Sequence, residues 1–148
     1  MHSSPIKIAK CAGIVERINE DGLLAYSCHS HSAFRNASGA VGTQVGHHII
    51  PFHEIVQSHP LMQMAFRAGF DPNNAALNGK AIEAVRNSGN HSLYANRIFS
   101  TFERILTTKQ PPGGWDPITA KKAVEEIITT IKHALDAQPG VHVDYLIF

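Results

Sequence analysis

The sequence feature that most constrains the fold is residues 46–51, Gly-His-His-Ile-Ile-Pro. Adjacent side chains on an extended strand point to opposite faces, so two neighbouring histidines serve one site only where the strand bends or ends. Gly46 and Pro51 both favour such an ending. The stretch therefore predicts a strand end, a geometry that would let one imidazole bind a metal while its neighbour, turned elsewhere, takes up a proton.

Composition limits the classes of protein that carry such a stretch. The chain has 148 residues, 43% of them hydrophobic, and a formal charge of +1, which predicts one domain without a basic field that would by itself attract nucleic acid. The ten histidines need an explanation, because imidazole is the commonest metal ligand. Cys11 and Cys28 lie in no zinc-binding spacing, and we expect free thiols. Since the sequence lacks an apolar run of membrane-spanning length and a secretory signal, we expect a soluble chain made in the cytoplasm without membrane contact.

Turn residues divide the first part of the chain. Two apolar segments, Ile14-Val15 and residues 23–26, flank Asp21-Gly22, a pair that predicts a β-hairpin. Residues 27–46 are rich in Ser, Gly, Asn and His and predict a long loop. The His-x-His of residues 28–31 has no further clustered ligand, so we assign it to the same loop.

Caps and apolar periodicity predict helices in the rest of the chain. We expect two short helices over residues 52–57 and 60–69, and a short bent strand over residues 75–82. A long amphipathic helix follows residues 87–90, and its apolar positions are Leu93, Tyr94, Ile98, Phe99, Phe102, Ile105 and Leu106. Asp116-Pro117 caps a second long helix, after which the alternation over residues 141–147 predicts a terminal strand.

Three motifs occur in a fixed order: the double histidine, the Asn78-Gly79 pair, and a Gly-x-His-x-x-Tyr at the start of the amphipathic helix. Together they resemble the AHH/GHH branch of the HNH/endonuclease VII nuclease superfamily, which is common as toxin domains of bacterial polymorphic toxins. The resemblance covers roughly residues 43–106. The residues that match the family are His47, His48, Pro51, Pro60, Asn78, Gly79, Gly89, His91 and Tyr94.

The resemblance implies an α+β fold with a ββα-metal (His-Me finger) core and an inserted helical segment. In that core the double histidine lies on the first strand, Asn-Gly on the second, and the closing metal ligands on the helix. We expect one domain in three parts: an N-terminal hairpin and loop at 1–42, the core at 43–106, and a C-terminal helix and strand at 107–148.

Site roles also follow from the resemblance. It implies that His47 is a metal ligand, that His48 is the general base, and that Asn78 supports catalysis by holding the loop after the first strand. His91 is the next metal ligand. Asn87 stands where many relatives carry histidine, and it is either a natural third ligand, one helical turn from His91, or the mark of a weakened site.

The choice of metal and the contacts to substrate follow from neighbouring residues. An asparagine oxygen favours Mg²⁺ or Mn²⁺, with Zn²⁺ or Ni²⁺ as alternatives. Arg86 and Arg97 flank the motif, and we expect them to contact nucleic-acid phosphates.

By resemblance, the function would be that of a metal-dependent endonuclease, a non-specific DNase used as an antagonism toxin. Its partners would be DNA, a cognate immunity protein, and a carrier protein or secretion machinery that delivers it into the cytoplasm of a target cell. Two alternatives stay open: an RNase that uses the same site, and a catalytically inactive binding module that lost a ligand at Asn87.

Overall fold

The computed structural model describes residues 17–18 and 22–148 and shows a mixed α+β fold. The strands of this part of the chain are β1 (Arg17–Ile18), β2 (Leu24–Ala25), β3 (Gln44–His48) and β4 (Gly79–Glu83). Its helices are α1 (His31–Ala37), α2 (Glu54–Gln57), α3 (Pro60–Arg67), α4 (Ala75–Asn78), α5 (Ser92–Thr108) and α6 (Pro117–Ala137). Short 3₁₀ turns lie at Ala84–Asn87 and Val143–Tyr145.

The antiparallel pair of β3 and β4 carries the double histidine. His47 lies opposite Lys80 and His48 opposite Gly79, and helices α2, α3 and α4 occupy the connection between the strands. A Cβ added to Gly46 would lie 2.9 Å from the Cα of Arg35, and one added to Gly79 would lie 2.6 Å from the carbonyl oxygen of Ala75. Both distances are shorter than real side-chain contacts, so these glycines let α1 and α4 approach the strand pair closely.

The long helices form the core around which this pair is placed. Helix α6 packs mainly on α3, and α5 packs on α2. Asp116 and Thr119 form a reciprocal capping box at the start of α6, and its inward stripe is buried at Ala120, Val124, Ile127, Ile128, Ile131 and Leu135. Burial of each large aliphatic side chain contributes about 1.5–3 kcal/mol to stability. In the part of the chain that the structure describes, no helix has the length and hydropathy needed to cross a bilayer.

Most of the predicted elements are confirmed. The two short helices, the amphipathic helix and the capped final helix are α2, α3, α5 and α6, and Pro60 occupies the first turn of α3 as expected. The hairpin is present as the antiparallel pair of β1 and β2, and its turn contains the predicted Gly22, at φ +77°. Its first strand is β1 and not the predicted segment. The segment Ile14-Val15, predicted as the first strand, and Cys11 lie outside the described residues. Cys28 is a free cysteine.

Three predictions are wrong, and in each a side chain that bonds to nearby backbone explains the difference. Residues 27–46 are not one loop, because Ser30 accepts a hydrogen bond from the N–H of Ala33 and caps α1. Residues 75–82 are not one bent strand, because Asn74 accepts from the N–H groups of Ala76 and Leu77 and caps α4 before β4 begins. Residues 141–147 form no strand, because His142 accepts from the N–H of Asp144 and closes a 3₁₀ turn.

Candidate functional site

His47 is buried between β3 and the start of α5, with 3% of its surface exposed. Its Nδ1 lies 2.8 Å from the amide oxygen of Asn87. An amide oxygen only accepts hydrogen bonds, so Nδ1 carries the proton and donates, and the lone pair of the ring lies on Nε2. Asn87 therefore selects the tautomer of His47 and orients its ring.

Two shielded ring nitrogens near this point have no hydrogen-bond partner among the residues that the structure describes. They are Nε2 of His47 and Nδ1 of His91, whose rings lie 6.2 Å apart in an edge-on arrangement. Leaving a buried polar atom unpaired costs about 1–3 kcal/mol, and such atoms in native proteins call for a specific explanation such as an ion. His91 also has a left-handed backbone, φ +58°, which is uncommon for a residue other than glycine.

Burial keeps both of these imidazoles neutral near pH 7. It lowers the pKa of His47 to about 3, and the hydrogen bond that His47 donates to Asn87 opposes this shift only in part. Burial also lowers the pKa of His91, against the attraction of the nearby Asp144 carboxylate. A neutral imidazole presents a lone pair, which is the form that binds a metal.

His48 lies on the opposite side of β3 and is held by aromatic rings. Its ring stacks on Phe34, with centroids 3.6 Å apart and planes 15° from parallel, and Phe52 contacts it edge-on at 4.8 Å. Its Nε2 is shielded and makes no hydrogen bond to a described residue. Burial lowers the pKa of His48 to about 4, so this ring is also neutral near pH 7.

Asn78 fixes the loop that follows His48. Its side chain is fully buried, accepts from the N–H of Ile50 at 2.7 Å, and donates to the carbonyl oxygens of Ile50 at 3.1 Å and Pro72 at 2.9 Å. The hydroxyl of Tyr94 donates to the carbonyl of Ile49 in the same loop. Both polar atoms of the Asn78 side chain are hydrogen-bonded to backbone groups. Asn78 can therefore affect the histidines only by holding the neighbouring loop in place.

The predicted ligand Asn87 occupies a different place from the one its spacing suggested. It ends the 3₁₀ turn Ala84–Asn87, and His91 precedes the first residue of α5, so the expectation that the two share one helix face is wrong. The amide oxygen of Asn87 bonds to His47. In this arrangement Asn87 orients the ring of His47, whose other nitrogen, Nε2, carries the lone pair.

The two arginines predicted to contact phosphate differ from each other. Arg86 is 5% exposed, and its guanidinium donates to the carbonyls of Val141, Leu135 and Gln138 at 2.8, 3.1 and 2.9 Å. The prediction of a phosphate contact for Arg86 is therefore wrong, because its donors already anchor the C-terminal segment. Arg97 is half-buried, with its guanidinium 4.3 Å above the ring of Phe148.

Two residues beside His91 were missed by the sequence analysis. The ring of His142 lies 6.2 Å from that of His91 and donates from Nε2 to the carbonyl of Ser88 at 2.8 Å. Asp144 accepts from the N–H of Tyr94 at 3.0 Å and so caps the first turn of α5. The available signal in the sequence was that His91, which directly precedes this helix, is not one of the residue types that usually cap a helix, so an acceptor from elsewhere in the chain was to be expected.

The described residues supply two unpaired nitrogen donors at this point. Among residues 22–148, no three His, Cys, Asp or Glu side chains gather closely enough to hold one metal ion. No protein-family model matches the chain, and no curated protein or solved structure shows a match to it.

Proposed function

We propose that the chain is a metal-dependent nuclease that hydrolyses DNA without sequence preference and acts as a bacterial antagonism toxin. The observation that carries the proposal is the pair of shielded, unpartnered nitrogens on His47 and His91. The order β3, β4, α5 also supports it, since the ββα-metal core of the resembling family consists of two strands followed by a helix. The toxin role, the immunity protein and the carrier rest on that resemblance.

The rings that carry the two nitrogens lie slightly farther apart than one bound cation requires. Metal–nitrogen bonds of about 2.1 Å from two imidazoles to one ion place the ring centroids roughly 5–6 Å apart. The rings of His47 and His91 lie at 6.2 Å, so a small approach of the two rings would let them share one ion. The hydrogen bond from His47 to Asn87 is the kind of outer contact that orients metal-binding histidines. Water and a substrate phosphate would complete the coordination of the ion.

The identity of the donors alters the expected choice of metal. The sequence favours Mg²⁺ and Mn²⁺ because Asn87 would offer an oxygen, but in the structure that oxygen accepts a hydrogen bond from His47. Two imidazole nitrogens favour Ni²⁺ or Zn²⁺ over Mg²⁺. When bound, such an ion would neutralise negative charge on the phosphodiester and on the leaving oxygen.

His48 is the residue we assign to proton transfer. It is neutral near pH 7 and can accept the proton of an attacking water. Its Nε2 is shielded, so the ring must turn out of its stack on Phe34 to reach a substrate. Exposure to solvent and the negative charge of a bound phosphate both raise the pKa of an imidazole, which brings this base closer to its working range.

The test separates the two histidines by two measurements. Calorimetric titration with Ni²⁺ or Zn²⁺ and cleavage of supercoiled plasmid are compared for the natural sequence, His47→Ala and His48→Ala. We expect His47→Ala to lose cation binding, and His48→Ala to bind the cation while its cleavage rate falls about 10²–10⁴-fold, the usual contribution of a general base. His133→Ala, which removes an exposed histidine of α6, is the matched control and should behave like the natural sequence.

Several results would contradict the proposal. Cleavage that survives His48→Ala excludes the assigned base, and absence of divalent-ion binding in the natural sequence leaves the inactive binding module as the interpretation. Degradation of total RNA with intact plasmid would replace DNA by RNA as the substrate.

A further inference from the structure

A groove between α5 and α6 lies apart from the histidines and is built from different residues. Its volume is about 360 Å³, within the range of small-molecule sites. Ile105 and Ile127 are buried at its base, and Trp115 and Phe148 form part of its wall. The indole nitrogen of Trp115 donates to the carbonyl of Leu106 at 3.0 Å, which holds this ring in place.

The charged residues of the groove are mainly cationic. Arg104, Lys109 and Lys122 line it, against one carboxylate, Glu126. All three cations are exposed, and none forms an ion pair with another residue in the part of the chain that the structure describes. By contrast, Lys121 on the same helix pairs with Glu125 at 3.7 Å. The groove thus combines an excess of unpaired positive charge with a fixed aromatic ring.

This combination selects a ligand that has a flat apolar ring and a multiply charged anion. An aromatic ring provides a stacking surface for a nucleobase, and lysine and arginine bind phosphate through charge-assisted hydrogen bonds. A purely apolar ligand would leave the cations unused, and a bare anion would leave the aromatic wall unused. We infer that this groove binds a nucleoside phosphate, with the base against Trp115 and the phosphate at Arg104, Lys109 and Lys122.

The same chemistry is present in a free nucleotide and in one unit of a nucleic-acid strand. Single-stranded nucleic acids bind proteins through bases stacked on aromatic side chains beside a positively charged groove. The inference does not require the metal site, because in the described part of the chain no hydrogen bond, ion pair or ring contact joins a groove residue to His47, His48 or His91. Its failure and the failure of the proposed nuclease activity are therefore separate results.

Trp115 is the only tryptophan of the chain, so intrinsic fluorescence reports directly on the groove. The protein is titrated with AMP, adenosine, ribose 5-phosphate and a short single-stranded oligonucleotide, with calorimetry in parallel. We expect saturable quenching by AMP, and affinity weaker by about tenfold or more when either the base or the phosphate is missing. Saturable binding of AMP alone indicates a free-nucleotide site, and tighter binding of the oligonucleotide indicates a strand-binding site.

Matched variants locate the response. Arg104→Gln combined with Lys109→Gln should weaken binding of AMP about tenfold or more, whereas Lys121→Gln, which removes a paired lysine of α6 outside the groove, should not. His47→Ala should retain nucleotide binding. The inference is overturned if no nucleotide quenches saturably, if adenosine binds as well as AMP, if an acidic peptide is the only anion that binds, or if the double variant matches Lys121→Gln.

Discussion

The two sides of β3 hold chemically identical rings by different means. On the His47 side, consisting of His47, Asn87 and His91, the ring is nearly inaccessible and a hydrogen bond selects its tautomer. On the His48 side, consisting of His48, Phe34 and Phe52, the ring is held by aromatic contacts. A hydrogen bond restricts direction more strongly than stacking does, so the first side suits a fixed donor and the second suits a ring that moves.

The alternation of a strand produces this difference from two adjacent residues. His47 meets α5 and its preceding turn, whereas His48 meets α1. One strand end thus gives two adjacent histidines different surroundings, which is what the proposed division between metal binding and proton transfer requires.

The largest effect that tests this comparison is on stability in acid. Burial lowers the pKa of His47 to about 3 and that of His48 to about 4, while the pKa of a histidine in an unfolded chain is about 6.5. Below about pH 6.5 these two histidines bind protons in the unfolded chain but not in the folded chain, so the free energy of unfolding falls as pH decreases. The expected loss is about 1.4 kcal/mol per pH unit for each ring, or roughly 3 kcal/mol per ring by pH 4.

Urea unfolding between pH 7 and pH 4.5 measures this slope. His47→Gln and His48→Gln should each make the free energy of unfolding depend less on pH. The contribution of His47 should extend to a lower pH than that of His48, because the pKa of His47 in the folded chain is lower. His133→Gln, at an exposed position of α6, should leave the slope as it is. Equal stability at both ends of the range would contradict the picture of two buried neutral histidines.

The next effect concerns Asn78, which supports the loop beyond both sides. Asn78→Ala leaves the N–H and carbonyl of Ile50 and the carbonyl of Pro72 without these partners. Since each unsatisfied buried group costs about 1–3 kcal/mol, we expect the free energy of unfolding to fall by about 3 kcal/mol. Asn96→Ala, at an exposed asparagine of α5, is the matched control in chemical denaturation. A loss below about 0.5 kcal/mol would show that these bonds do not hold the loop.

Sequence patterns predict the parts of the fold that rest on local signals. The stripe of α6 and its Asp116 cap, the proline at the start of α3, and the run of α5 all appear where the periodicity places them. The error over residues 75–82 has a local origin too, since an Asn-Gly pair suggests a turn within a strand while Asn74 caps a helical turn just before it.

The site is less predictable because its contacts join distant positions. The double histidine marks the strand end, but nothing near Asn87 shows that its amide oxygen bonds to a residue forty positions earlier. Arg86 looks like a free surface charge, yet its three carbonyl acceptors lie in a segment about fifty residues later, which periodicity cannot relate to it.

A smaller effect tests whether Asn87 only orients His47 or is itself a metal ligand. If Asn87 orients His47, Asn87→Ala should weaken cation binding about 10–100-fold, the usual effect of an outer-shell contact, and Asn87→Asp should retain an acceptor and restore most of it. Calorimetric titration with Ni²⁺ measures both, with Asn96→Ala as the control. Complete loss of binding in Asn87→Ala would favour the sequence-based prediction that Asn87 is itself a ligand.

The smallest effect is expected on the His48 side. Phe34→Leu removes the stacked ring beneath His48 while keeping an apolar side chain, and an aromatic contact of this kind contributes about 0.5–1.5 kcal/mol. We expect a loss of about 1 kcal/mol in the free energy of unfolding. If His48 accepts the proton only after its ring has left the stack on Phe34, plasmid cleavage by the folded variant should not fall. The reason is that Phe34→Leu weakens the stacked conformation, which competes with the conformation that reaches the substrate. A fall as large as that of His48→Ala would instead show that the stacked ring is the working one, and that both sides of β3 hold their histidines rigidly.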